Sequence, residues 1–119
     1  MISKFGTVMR KFRSRTGESL RTMSSKLDIS PAFLSAMEVG RRLVPQEYAL
    51  RIKEVYNLNE QDYAELQDAV METNQRVDIE LAKMNEAQKE VSMVFARKIE
   101  NADPELIEKL RKALLDDQD

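Results

Sequence analysis

The chain has 119 residues, enough for one domain or for one domain with a small addition, and it contains neither cysteine nor histidine. Disulfides, zinc thiolate sites, a thiol nucleophile and the commonest general base are therefore excluded, and we expect no catalytic site, no metal and no cofactor. The net charge of −2 is unevenly distributed: residues 1–58 carry eleven Lys and Arg against five Asp and Glu (11 − 5 = +6), whereas residues 59–119 carry eight against sixteen (8 − 16 = −8).

Three helices are predicted in the first 40 residues. Apolar residues at three- and four-residue spacing form a first helix that ends at Gly17: Phe5, Val8, Met9 and Phe12. Ser19 is a favourable N-cap for the second helix. The third begins at Ser30, with Pro31 at its first helical position, and ends at Gly40. The core residues expected from the second and third helices are Leu20, Met23, Leu27, Leu34 and Met37.

Pro45 and Asn59 mark the starts of a fourth and a fifth helix, for which the apolar candidates are Tyr48, Leu50, Ile52, Val55 and Tyr56, then Tyr63, Leu66 and Val70. The chain that follows has two interpretations. The segment RVDIEL, residues 76–81, alternates apolar and charged residues as a strand does. A roughly heptad series would instead suit one long helix: Leu66, Val70, Val77, Met84 and Val91. We favour an extended segment over residues 73–84.

Two further helices are predicted at the C-terminal end. One starts near Asn85 and is expected to bury Ala87, Val91, Val94, Phe95 and Ile99. The last is capped by Asp103, has Pro104 at its first position and carries Leu106, Ile107, Leu110 and Leu114. The predicted architecture is therefore all-α, with a five-helix domain over residues 1–72 and an extended segment plus two helices over residues 73–119.

The second and third helices are separated by a tight link. Only Asp28 and Ile29 lie between Leu27 and Ser30. A link this short makes two helices cross steeply, as in a helix-turn-helix motif, whose second helix can enter the DNA major groove. The basic first half of the chain also favours a polyanionic partner.

Residues 5–58 resemble the helix-turn-helix domain of the lambdoid phage repressor and Cro class, the xenobiotic-response-element (XRE) family. The resemblance lies in MRKFRSRTGESLRTMSSKLDISPAFLSAMEVGRRLVP, which has the family spacing without a gap. The matching positions are Phe12, Arg13, Ser19, Met23, Ser24, Leu27, Ile29, Ser30, Leu34, Ser35, Met37, Glu38, Gly40 and Pro45. The resemblance implies a five-helix, lambda-repressor-like fold and binding to double-stranded DNA.

The resemblance also implies roles for individual residues. Residues facing the base edges would be Pro31, Ala32, Phe33, Ser35 and Ala36. Residues approaching phosphates would be Ser19, Leu20, Ser30, Arg41, Arg42 and Arg10. Phe33 has an alternative place in the core, but the buried stripe of Leu34 and Met37 favours its exposure to DNA. Arg13 and Glu38 would form a partly buried ion pair between the first and third helices.

The sequence departs from the family pattern at three places. Asp28 replaces the usual turn glycine, and Asp tolerates the left-handed conformation better than most residues. Leu20 replaces a frequent glutamine. The predicted recognition helix lacks the Arg, Gln or Asn side chains that make bidentate base contacts. Either specificity then rests on apolar contact with thymine methyl groups and on DNA shape, or DNA binding is weak.

The acidic second half contains no motif with a chemical mechanism. Its apolar stripes suggest a homodimerisation element, because proteins of this kind bind paired half-sites as two-fold dimers. The expected function is a dimeric repressor that binds an inverted repeat. The alternative is an antitoxin or other partner-binding protein, whose acidic half binds a second protein while DNA binding serves autoregulation. No apolar run approaches the roughly 20 residues that span a bilayer, so we expect a cytoplasmic protein with no membrane partner.

Overall fold

The computed structural model describes residues 1–116. They form seven α-helices and one 3-10 helix and contain no strand, which confirms the predicted all-α class. The helices are α1 (Lys4–Thr16), α2 (Leu20–Lys26), α3 (Pro31–Glu38), α4 (Gln46–Tyr56), α5 (Glu60–Asn74), α6 (Glu86–Lys98), the 3-10 helix η1 (Ile99–Asn101) and α7 (Pro104–Leu115). The chain divides into two compact units, Met1–Val77 and Asp78–Asp119.

The helices begin where the sequence supplies side-chain caps. Ser19, Ser30, Asn59 and Asp103 each accept a hydrogen bond from the backbone N–H three residues later, as predicted. Pro45 instead precedes α4 and makes no side-chain cap. Each side-chain cap satisfies an N–H group that a helix of any sequence would leave unpaired.

The core of the first unit is built by all five of its helices and the chain between α3 and α4. Its fully buried side chains include Phe5, Met9, Met23, Leu27, Leu34, Met37, Val44, Ile52 and Leu66. The predicted buried face of α4 is partly wrong, because Leu50 and Val55 are exposed while Ala49 is buried with Ile52. In that helix, the three-residue spacing from Ala49 to Ile52 places both on the inner face.

The first unit extends five residues beyond the predicted boundary at residue 72. The backbone N–H of Phe5 donates to Thr73 Oγ1 at 3.0 Å, and the Asn74 side chain bonds to the backbone of Val44. Gln75 then adopts a left-handed φ of 54° and ends α5. The long continuous helix is therefore wrong. The extended segment predicted over residues 73–84 starts too early, because residues 73 and 74 belong to α5, and residues 76–81 form neither a helix nor the predicted strand.

The second unit holds α6, η1 and α7. Asn85 and Gln88 form a reciprocal capping box at the start of α6. No residue between 78 and 116 is buried, so the predicted burial of the α6 stripe is wrong. Ala87 and Val91 are exposed, Val91 by 67%, while Val94, Phe95 and Ile99 are half-buried. An amphipathic stripe predicts which face will pack but does not supply the surface it packs against. Within residues 1–116, no helix has the length and hydrophobicity needed to cross a membrane.

Candidate nucleic-acid interface

The turn between α2 and α3 closes in a Schellman motif. The N–H of Ile29 donates to the carbonyl of Ser24 at 3.0 Å, and the N–H of Asp28 donates to that of Ser25 at 3.1 Å. Asp28 has a φ of 59°, the left-handed conformation predicted for it. Ile29 is half-buried and packs against the core. The turn is thereby held by its own backbone and anchored by one apolar side chain.

One face of α3 is buried, whereas the opposite face is open to solvent. Leu34, Met37 and Glu38 are buried. Ala32 and Ser35 are exposed, and Pro31 and Ala36 are half-buried. Of the residues predicted to meet base edges, Ala32 and Ser35 are therefore open to solvent, and Phe33 is half-buried like Pro31 and Ala36.

Phe33 is packed between elements of the protein and is not freely exposed, contrary to the orientation that we favoured. Its ring is half-buried and meets the ring of Tyr48 edge-on, with centroids 5.9 Å apart and planes inclined at 64°. The guanidinium of Arg42 lies 5.5 Å from the Phe33 centroid on the ring face. An aromatic ring attracts a cation over its face, so Phe33 positions one of the predicted phosphate-binding residues.

Tyr48 and Arg51 also belong to this surface, which the sequence does not indicate. Arg51 lies over the Tyr48 ring at 4.9 Å and donates a hydrogen bond to the carbonyl of Leu27 at 2.9 Å. Their three-residue spacing on α4 indicates a local contact. The bond to Leu27, 24 residues away, has no sequence signal. Together Phe33, Arg42, Tyr48 and Arg51 form an aromatic–arginine cluster that joins α4 to α3 and to the end of α2.

The chain leaves α3 through a second Schellman motif. Gly40 has a φ of 81°, and the N–H of Arg41 donates to the carbonyl of Ala36 at 2.9 Å. Arg41 and Arg42 are both exposed. Shortly after them, Asn74 Oδ1 accepts from the N–H of Val44 and Asn74 Nδ2 donates to its carbonyl, each at 2.9 Å. The two arginines thus lie on a segment that is fixed at both ends.

The remaining predicted phosphate contacts lie at helix starts and on α1. Ser19 Oγ accepts from the N–H of Thr22 at 3.1 Å, and Ser30 Oγ accepts from the N–H of Phe33 at 3.0 Å. Both hydroxyls are therefore engaged as caps, and Leu20 is half-buried against the core. Arg10 is exposed on α1, and the side chains of Arg10 and Arg41 make no hydrogen bond or ion pair among residues 1–116.

The predicted ion pair between Arg13 and Glu38 is present and bidentate. Arg13 Nη1 lies 2.6 Å from Glu38 Oε2, and Nη2 lies 2.9 Å from Oε1. The two side chains are 11% and 3% exposed. The hydrogen bond to Glu38 raises the pKa of Arg13 above its ordinary value, against an opposing effect of burial. The pair joins α1 to the last residue of α3 and fixes the orientation of α3 relative to α1.

The chain matches no protein-family model, and no curated protein or solved structure is significantly similar to it. The candidate surface combines an accessible helix face of small residues with exposed guanidinium groups at the exit of the same helix. Such a surface can approach a polyanion closely and hold its phosphates.

Proposed function

We propose that the chain is a sequence-specific DNA-binding transcriptional regulator, a dimeric repressor that binds an inverted repeat. Helices α1–α5 form a lambda-repressor-like helix-turn-helix domain in this proposal. Helix α3 enters the major groove, and the tight turn before it sets its approach. The family resemblance of residues 5–58 supports this assignment.

The observation that carries the proposal is the pairing of an open α3 face with the arginines that follow it. Ala32 and Ser35 are exposed on that face, while Arg41 and Arg42 are exposed within a few residues of its end. A small-residue face permits close contact with thymine methyl groups, and guanidinium groups bind phosphates. No other helix among residues 1–116 has two adjacent arginines within four residues of its C-terminal end.

The structure changes the role of Phe33 in this proposal. Direct base contacts come from Pro31, Ala32, Ser35 and Ala36, and Phe33 supports Arg42 on the phosphate backbone. Because none of these side chains makes a bidentate hydrogen bond to a base, each half-site discriminates modestly. Sequence-dependent DNA shape and the second half-site supply the remaining specificity.

The salt dependence of DNA binding tests the phosphate contacts. With Arg41→Ala and Arg42→Ala together, binding to every DNA sequence should weaken. The slope of log K against log salt concentration should become shallower by about 3.6 for the dimer, since each protomer loses two contacts and each lost contact removes about 0.9. The matched control is Arg97→Ala with Arg111→Ala, two exposed arginines of the second unit, which should leave the slope unchanged.

Selection of bound sequences from a random DNA pool tests the base contacts. The wild-type chain should enrich an inverted repeat, and Ser35→Gln should change the bases enriched in each half of it, because Gln can pair with adenine. Failure of the full chain to retain any DNA at low salt would reject the function. An unchanged selected sequence with Ser35→Gln would reject α3 as the reading helix.

A partner-binding role, as in an antitoxin, is the second candidate. It is favoured by the acidic second half, in which large apolar side chains such as Val91, Leu114 and Leu115 remain exposed. A short adjacent reading frame encoding a toxin-like protein would favour this role. Co-expression of the two products, followed by a test of growth rescue, would then separate the candidates.

A further inference from the structure

The second unit has an apolar groove between its two α-helices. Its volume is about 340 Å³, and it is lined by Val91, Val94 and Phe95 from α6 and by Leu106 and Leu110 from α7. Val91 and Leu106 are exposed by 67% and 42%. The groove is therefore a formed concavity with half-buried apolar walls and exposed apolar side chains on both helices.

The second unit lacks the usual means of stabilising a small fold. None of its residues up to Asp116 is buried, in a stretch of about 40 residues for which disulfides, metals or association are usually needed. The chain has no cysteine for a disulfide and neither cysteine nor histidine for a structural zinc site. Association is the remaining route by which this helix pair can bury its apolar walls.

The charges on the rim of the groove indicate what covers it. The groove is lined by only two charged residues in the described chain, Glu90 near the start of α6 and Lys98 at its end. They are eight residues apart, a separation of about 12 Å along a helix. Each groove therefore has one acidic and one basic end, with apolar side chains between them.

We propose that the groove is covered by the same helix pair of a second copy, packed antiparallel about a two-fold axis. In this arrangement Glu90 of each copy meets Lys98 of the other, and the apolar walls face one another. A parallel arrangement would place Glu90 against Glu90 and Lys98 against Lys98. A two-fold interface must be self-complementary, and this distribution of charge satisfies that requirement.

This interface would hold together the dimer of the proposed regulator. Only its biological role rests on the proposed function. Self-association of the chain can be measured in the absence of DNA. Loss of DNA binding by an intact dimer would reject the function alone. A monomer that still bound DNA would reject this interface alone.

Charge reversal in the full chain tests the arrangement. Glu90→Lys makes both ends of the groove basic, and Lys98→Glu makes both ends acidic. Each single variant should therefore dimerise about tenfold more weakly than the wild type, through two lost pairs and two like-charge contacts. An equimolar mixture of the two, one labelled with ¹⁵N, should recover wild-type affinity as a heterodimer in native mass spectrometry, because both contacts are again opposite in sign.

A matched control comes from α7. Glu108→Lys and Lys112→Glu make the same charge changes at exposed positions that do not line the groove, and these variants should dimerise as the wild type does. A wild-type chain that sediments as a monomer at micromolar concentrations would overturn the proposal. So would single variants that dimerise normally, or a mixture that forms no heterodimer in excess of either homodimer.

Discussion

Glu38 on α3 is held at both its side chain and its backbone by the N-terminal part of the chain. Arg13 binds both carboxylate oxygens, while Ser3 donates from its N–H at 2.8 Å and from its Oγ at 2.9 Å to the Glu38 carbonyl. Ser3 Oγ also accepts from the N–H of Gly6 and caps α1. The start of α1 and the end of α3 thus share one hydrogen-bonded junction, which fixes the proposed recognition helix relative to the core.

The ion pair at this junction should show strong coupling in a double-mutant cycle. Glu38→Leu alone should lower the free energy of unfolding by about 3–5 kcal/mol, because it leaves the Arg13 guanidinium buried and unpaired. Arg13→Met with Glu38→Leu should recover much of that loss by removing both charges. Urea denaturation followed by circular dichroism measures all four free energies.

The pair between Arg15 and Asp62 is the control for this cycle. Its atoms approach to 2.7 Å, but the Arg15 side chain is 51% exposed, so water screens the interaction. The coupling energy from Arg15→Met and Asp62→Leu should be about 1 kcal/mol or less. Equal coupling energies in the two cycles would show that burial does not strengthen the pair of Arg13 and Glu38.

Gly6→Ala should destabilise the first unit even though alanine is the better helix former. A Cβ at residue 6 would lie 2.3 Å from the Glu38 carbonyl oxygen and 2.7 Å from Ile2 Cγ1. Since the carbonyl is backbone held by Ser3, the junction must shift, at a cost of about 1–3 kcal/mol. Thermal unfolding monitors this loss, and Ser14→Ala, at an exposed position of α1, should lose little or nothing. A stabilised Gly6→Ala variant would show that α1 and α3 do not meet this closely.

The features predicted from the sequence were those determined by local chemistry. Ser19, Ser30 and Asn59 start helices because a side-chain oxygen three residues before an N–H can cap it wherever the chain folds. The left-handed Asp28 follows from the same kind of local preference. The ion pair of Arg13 and Glu38 came from the family resemblance, which supplies the spatial proximity that local sequence lacks.

The features that were missed depend on contacts between distant residues. Asn74 meets Val44 across 30 positions, and Arg51 meets Leu27 across 24. The stripe of Leu34 and Met37 favours exposure of Phe33 to DNA, and nothing in the sequence places Tyr48 beside it. The apolar stripe of α6 faces α7 across a groove, but none of its residues is buried within residues 78–116.

Two carboxyl groups should make the fold sensitive to acid. Hydrogen bonds from Lys26 and Tyr56 lower the pKa of Glu18, and the bond from Arg15 lowers that of Asp62. Their ordinary values are 4.5 and 3.8, so the folded state binds fewer protons than the unfolded state near these values. Their contribution is therefore complete above about pH 5 and is lost as the pH falls through the folded values.

Glu18→Gln with Asp62→Asn should reduce the loss of stability at acidic pH. The free energy of unfolding, measured from pH 7 to pH 3 in urea, should fall less steeply below about pH 5 than in the wild type. The control is Glu54→Gln with Asp68→Asn, two exposed carboxyls without an ion pair among residues 1–116, which should retain the wild-type slope. Parallel profiles for the two double variants would exclude Glu18 and Asp62 as the source.

Asn74 should control the order of the segment that carries Arg41 and Arg42. Its amide satisfies both backbone groups of Val44, which is buried. Asn74→Ala leaves that N–H and carbonyl without their partner, at a cost of about 1–3 kcal/mol. Asn74→Asp keeps the acceptor for the N–H but places a carboxylate oxygen against the carbonyl.

Amide hydrogen exchange separates the two variants, because the Val44 amide should exchange faster with Asn74→Ala and stay protected with Asn74→Asp. Gln67→Ala, exposed on the same helix, should leave this amide unchanged. Equal protection of the Val44 amide in all three variants would mean that core packing orders the segment after α3 without help from Asn74.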